Sequence, residues 1–190
     1  MSLSDIELFL EFQKNETVES FEELVNRHQK GVINFFYHFL WDAAMAEDLA
    51  QEVFIKLAGG VKSYKPTARF TIFLYRIVQN VWIDYLRKKA TLPHQVSLEK
   101  TVGDDEEGRL KDLIDDRSNS SLDDIIDAEK KAGIKNILQK LSNEQRMVVE
   151  LSVFGHLGYS EISEILEIPL NTVKSRMRQA IINLKDLVKK

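Results

Sequence analysis

Lys174, Ser175, Arg178 and Gln179 form two pairs, each spaced four residues apart, within the C-terminal stretch IPLNTVKSRMRQAIINLKDLVKK. On a helix that spacing sets the members of a pair on one side. These side chains suit recognition. Arg and Lys match guanine edges, Gln matches adenine, and Ser accepts either. Arg176 lies more to the side, where a phosphate is its natural target. Asn171 and Thr172 open the segment, Asn171 as its expected cap. Val173, Met177, Ala180, Ile181, Leu184 and Val188 are spaced to face inward. A charged outer helix face is ordinarily only solvated, and a bare helix-turn-helix also occurs in bundles that bind no DNA. The capped turn and the sign of the charge favour DNA here.

A second cluster lies earlier. Between Lys56 and Ala90 there are eight basic residues and one acid, Asp84, interleaved with six aromatics. Basic grooves with aromatic platforms hold single-stranded nucleic acid. Phe70, Phe73, Leu74, Ile77, Val81 and Tyr85 sit at helical spacing and are read as core. Packing leaves Lys62, Lys65, Arg69, Asn80, Trp82 and the Arg87-Lys88-Lys89 end unexplained. These residues define a second candidate nucleic-acid surface.

A third stretch is AEDLAQEVFIKL, residues 46–57. Ala46, Leu49, Ala50, Val53 and Leu57 make an inward stripe. Asp48, Gln51, Glu52 and Ile55 fall on the other face. An isoleucine among acids and an amide resembles a protein-docking surface.

The elements that must carry these residues are helical. There are 3 Pro and 8 Gly in 190 residues, and apolar residues mostly recur three and four apart, which favours an all-α fold. Helices are expected over 4–13, capped by Ser4, over 18–40, from Asp42 to Gly59-Gly60, and over 70–88. Residues 91–124 change character, with much acid, Ser, Asn and Gly, as in a flexible linker. Helical patterning resumes over 122–141. Helices capped by Ser142 and Ser160 follow, the first running to Phe154. Two small helical domains, 1–90 and 125–190, are therefore expected on either side of an acidic linker, with the helix-turn-helix in the second.

Charge is segregated in the same way. The net charge of −4 divides into −1 over residues 1–90, −7 over 91–127 and +4 over 128–190. Absence of cysteine excludes disulfides and cysteine-zinc sites and suits a reducing cytosol. MSLSDIELFLEF lacks a basic leader and is not read as a signal peptide. His28, His38, His94 and His156 lack metal-ligand spacing, and no phosphate loop or nucleophile–base pair stands out. No enzyme activity, metal or cofactor is expected.

Taken together, FEELVNRHQKGVINFFYHF, AEDLAQEVFIKL, FTIFLYRIVQNVWIDYLRK and LSNEQRMVVELSVFGHLGYSEISEILEIPLNTVKSRMRQAIINL resemble the bacterial sigma factors of the extracytoplasmic-function group. They cover both domains in the family's order. The resemblance implies that Asp48, Gln51, Glu52 and Ile55 dock on the clamp helices of core RNA polymerase. It implies that Lys62, Lys65, Arg69, Asn80 and Arg87 hold the single strand of the −10 element, where a base is flipped out. It implies that Asn171, Thr172, Lys174, Ser175, Arg176, Arg178 and Gln179 meet the duplex −35 element. It implies a linker directed to the polymerase channels, a cytoplasmic location and an anti-sigma partner. Phe73 stands where the family usually has Trp. Arg178-Gln179 replaces more familiar residues, which bears on the preferred −35 sequence.

The alternative is a conventional helix-turn-helix regulator with an N-terminal helical sensing domain. It would bind its operator unaided in a gel shift, whereas this group normally needs polymerase.

Overall fold

The structure, a computed structural model, describes residues 3–15, 17–61, 64, 69–91 and 133–188. Lys62, Lys65 and the expected linker beyond Thr91 lie outside these residues. So does the expected start of the second domain. The described residues are helical and without strands, in two compact units within Met1–Ile114 and Asp115–Lys190.

The first unit is built from α1 (Asp5–Asn15), α2 (Val18–Leu40), α3 (Ala43–Gly59) and α4 (Phe70–Thr91). Ser4 and Glu7 cap α1 reciprocally, as Ser4 N–H donates to Glu7 Oε2 at 2.7 Å and Glu7 N–H to Ser4 Oγ at 3.3 Å. Asp42 caps α3 by accepting from Met45 N–H at 3.0 Å. That link follows Trp41, whose φ of 57° ends α2 with its N–H donating to Tyr37 O. Such left-handed backbone usually falls to glycine. The Trp41 ring lies 5.5 Å from Tyr37 and 5.8 Å from His38. Phe9, Leu24, Val32, Phe36, Val53, Leu57, Leu74 and Val78 form the innermost core. They come from all four helices and recur at the three- and four-residue spacing that a helix face requires.

Helix α1 braces Val61 and Tyr64, which precede α4, and the first turn of α4. Phe9 packs against Tyr64, Phe70 and Phe73, with ring centroids 5.0, 5.2 and 5.8 Å away. Gln13 Nε2 donates to the carbonyls of Val61 and Tyr64, at 2.7 and 3.2 Å. On the other side, Asp5 meets Arg27 at 2.9 Å and His28 Nε2 at 2.7 Å. Burial alone would raise the Asp5 pKa, but hydrogen bonds and charge from Arg27 and His28 outweigh it and hold the carboxyl below its ordinary value. A depressed pKa makes this contact stabilising at neutral pH. The contribution is lost as the pH falls beneath the ordinary carboxylate range, at about pH 4. Asp5→Ala is expected to free α1 before the rest of the unit. Amide exchange over residues 5–15 should rise about tenfold, with the innermost core of α2 to α4 unchanged.

The second unit has a short helical segment at 133–138, then α5 (Asn143–Val149), a π-helical segment (Glu150–Phe154), α6 (Tyr159–Leu166) and α7 (Leu170–Val188). Ser142 caps α5 as expected, in a capping box with Gln145. Three details differ from the expectations. The helix expected to run to Phe154 widens to π geometry, and Phe154 and Val153 are exposed. Gly158 rather than Ser160 starts α6, its N–H donating to Glu161 Oε2 at 2.8 Å. Helix α7 begins at Leu170, so Asn171 is inside it. Pro169 O accepts from Thr172 and Val173 at 2.8 and 3.2 Å in the capping position. The turn itself is fixed by Glu167, at φ 53°, and by the Ser163 hydroxyl donating to Ile168 O at 2.6 Å.

Candidate nucleic-acid interface

Helices α6 and α7, joined through Glu167-Ile168-Pro169, form the helix-turn-helix. Val173, Met177 and Ala180 anchor α7 in the core, together with Ile162 and Ile165 of α6. That register turns Asn171, Lys174, Ser175, Arg178 and Gln179 to the surface. Thr172 and Arg176 are half-buried at the flank. The structure thus brings all seven residues of this set to the first three turns of one helix. Ile181 is a correction: it is exposed, because the buried stripe of α7 runs through residues 173, 177 and 180, continues to half-buried Leu184, and leaves 181 beside it. Glu144, at the start of α5, lies near Arg176. Its carboxyl is held below its ordinary value by its own backbone N–H and by Ser142, with the Arg176 charge adding to the effect.

The second surface runs along α4. Arg69, just before the helix, and Asn80 and Arg87 within it are exposed. Separations of 11 and 18 residues place them on one side of the axis, over roughly 27 Å. Asn80 and Arg87 share a groove of about 380 Å³ with Lys56, Ile77, Ile83 and Asp84. Arg69, ahead of the first turn of the helix, lies outside that groove. Within it Asp84 Oδ2 meets Lys56 Nζ at 3.1 Å, and Asp84 Oδ1 lies 3.9 Å from Arg87. Lys56 also pairs with Glu52 at 3.0 Å. The Glu52 hydrogen bond is the chief cause of its raised pKa, followed by desolvation acting the other way and then by Asp84. Lys56 and Asp84 were missed as site residues. The available signal was that Asp84 is the one acid in a basic block. Trp82 is a second correction. It is only 7% exposed, 4.8 Å from Phe39 and stacked on Tyr85 at 5.5 Å, so it is core and not a base platform.

The third set lies on α3. Ala46, Leu49, Ala50, Val53 and Leu57 are all buried. Asp48 and Gln51 are exposed, Glu52 is half-covered beside Lys56, and Ile55 is 71% exposed. Ile55, Gln51 and Phe54 of α3 border a groove of about 590 Å³ whose other wall is Val25, Gln29 and Ile33 of α2.

Two family profiles match this chain, Sigma-70 region 2 over residues 24–91 and Sigma-70 region 4 over residues 132–184. Together they take in well over half of the sequence. This chain belongs to the extracytoplasmic-function group of the sigma-70 family. The sigma factor is 29% identical over 161 residues to ECF RNA polymerase sigma factor SigW of Bacillus subtilis, covering 85% of this chain and 84% of that one. It is 28% identical over 186 residues to the ECF RNA polymerase sigma-E factor of Escherichia coli, covering 95% and 94%. Among solved structures, CnrH in complex with the cytosolic domain of CnrY aligns at a TM-score of 0.67 and 18% identity, over 97% of both chains. RpoE in complex with the anti-sigma factor NepR, from Bartonella quintana, aligns at 0.62 and 19% identity, over 90% of this chain and 98% of that one. At that identity the likeness is one of fold, and the fold is the all-α one expected. The matched regions contain the helices of all three candidate surfaces: α3 and α4 lie in the first, α7 in the second.

Proposed function

We propose that this sigma factor docks on core RNA polymerase through the outer face of α3, holds the single-stranded −10 element along α4, and reads the duplex −35 element with α7. The observation that carries this reading is the division of α7. Lys174, Ser175, Arg178 and Gln179 are exposed directly opposite a buried anchor of Val173, Met177 and Ala180. In this reading residues 1–90 serve as region 2, 91–124 as an acidic linker and 125–190 as region 4. Lys62, Lys65, Arg69, Asn80 and Arg87 form the strand surface. Asp48, Gln51, Glu52 and Ile55 form the polymerase surface. The chain is non-catalytic: polymerase makes the phosphodiester bonds, and this subunit contributes position and the capture of unpaired bases. Flipping a base costs a few kcal/mol, which stacking and polar contacts offset. The work takes place in the cytoplasm, where polymerase and DNA are. The described helices include none long and apolar enough to cross a membrane. An anti-sigma protein is the natural partner that would inhibit it, in keeping with the aligned complex of RpoE with the anti-sigma factor NepR.

Reconstitution tests the reading. The purified chain is mixed with core polymerase and assayed for co-elution and for initiation from a promoter library. Ile55→Asp is expected to weaken association about tenfold or more, since it puts a charge at the centre of a desolvated contact. Its exposure leaves folding unchanged. Equal co-elution of the variant and the parent would refute the docking face. Sequence-specific binding to DNA without polymerase would favour the conventional regulator instead.

A further inference from the structure

Gln179 is tethered. Its Nε2 donates to Asn183 Oδ1 at 3.2 Å, one turn further along α7. Asn183 Nδ2 donates in turn to Gln145 Oε1 at 3.1 Å, in the first turn of α5. Gln145 Oε1 also accepts from the backbone N–H of Ser142 at 3.2 Å, as one half of the capping box. Gln145 and Asn183 are half-buried, while Gln179 is exposed.

The direction of this relay is decided at one end. A backbone N–H can only donate, so Gln145 must present its oxygen to Ser142. That oxygen obliges Asn183 to present its nitrogen, and hence turns the Asn183 oxygen towards Gln179. Gln179 can then meet Asn183 only with its NH₂ group. One of its two N–H bonds is committed, which leaves the carbonyl oxygen and the second N–H for a base.

We infer that Asn183, held by Gln145, is a positioning residue that fixes the orientation of the Gln179 amide and thereby sets the base preferred at one −35 position. The inference rests on the reading of α7 as the duplex-reading helix. An untethered glutamine amide turns freely about its broad terminal torsion and offers several donor and acceptor patterns. The tethered one offers an oxygen and a single N–H. That pair matches the N6–H and N7 of adenine and does not match the two acceptors of guanine. Orientation fixed before binding need not be acquired on the DNA, so discrimination rises without a new contact.

The test uses the full chain assembled with core polymerase and a promoter library randomised across the −35 element, with bound DNA sequenced. The parent protein is expected to enrich adenine at one position, and Gln179→Ala to erase that preference. Asn183→Ala should reduce the preference about fivefold at that position alone, leaving the thermal melt little changed. In a Gln179→Ala background Asn183→Ala should add nothing, because its effect passes through the glutamine. Asn183→Asp/Gln145→Ala keeps an oxygen facing Gln179 without setting the second oxygen against the acceptor of Gln145, and should retain the preference. If Gln179→Ala erases the preference while Asn183→Ala leaves it intact, the positioning role is overturned and duplex reading by α7 stands. If Asn183→Ala and Asn183→Asp/Gln145→Ala lose it equally, packing at that site is the cause and the inference is likewise overturned. If Gln179→Ala alters no position, the base-reading role of Gln179 fails and the inference fails with it.

Discussion

Lys174→Ala/Arg178→Ala is expected to reduce the preference of the polymerase complex for its −35 element by about a hundredfold or more. Each good bidentate contact to a base is worth about 1–3 kcal/mol of discrimination, and the two residues contact different bases in the proposed docking. Both are exposed on the outer side of α7, so stability should be unaffected. Competition binding between a consensus promoter and one with a scrambled −35 element measures the effect. Arg176→Ala provides the contrast. From its flanking position it would contact phosphate, so its loss should weaken binding to all sequences alike and lower the salt slope by about one. A double variant that still distinguished the two promoters as the parent does would remove α7 as the reading element.

The largest effect on stability is expected from Arg146→Met. Arg146 is 8% exposed and Glu150, one turn on, is 1% exposed. Arg146 Nε donates to the Leu138 carbonyl at 3.0 Å. Burial pushes the guanidinium pKa down, and the Glu150 charge partly offsets that. The Glu150 charge therefore favours the charged form of Arg146 inside the second unit. Methionine at 146 fills similar space but leaves the carboxylate without its neighbouring cation and the Leu138 carbonyl with the Leu141 N–H as its remaining donor. Breaking a buried pair in this way costs about 3–5 kcal/mol. A small domain has a total stability of only about 5–15 kcal/mol. Calorimetry should show the second unit unfolding at a much lower temperature while the first unit's transition is kept. Arg146→Met/Glu150→Leu should recover most of the loss, because removing both charges also removes the desolvation cost. An unchanged melt for the single variant would show that Glu150 does not depend on Arg146.

The helices were legible because their apolar positions repeat at the helical period. The stripe of Ala46, Leu49, Ala50, Val53 and Leu57 was readable in one dimension, and so was the exposure of Asp48, Gln51 and Ile55 opposite it. What a one-dimensional period cannot give is the partner across the core. Trp82 sits among lysines and arginines in sequence, yet Phe39 from another helix covers it. Ile181 matches the apolar spacing of α7 but lies beside the stripe that the small second unit has room to bury. The start of α7 was read from the residue type of Asn171, whereas the carbonyl of Pro169 and the left-handed Glu167 place it earlier. Helix α1 was legible as a helix but not for its contacts, since nothing in MSLSDIELFLEFQ shows that Phe9 and Gln13 reach Tyr64 and Phe70. The tether on Gln179 was illegible for the same reason: Asn183 and Gln145 are separated by 38 residues.

The two-residue corner at Trp41-Asp42 has a consequence for how the chain comes into being. It joins α2 and α3 as a helical hairpin, and closing so short a loop takes little time compared with pairing distant segments. Most of what these two helices touch is each other. As the polypeptide leaves the ribosome, this pair can collapse once residue 59 is clear, well before the last helix has been translated. The subunit would then begin life with its grip for the larger machine in place, and acquire its means of choosing a gene afterwards.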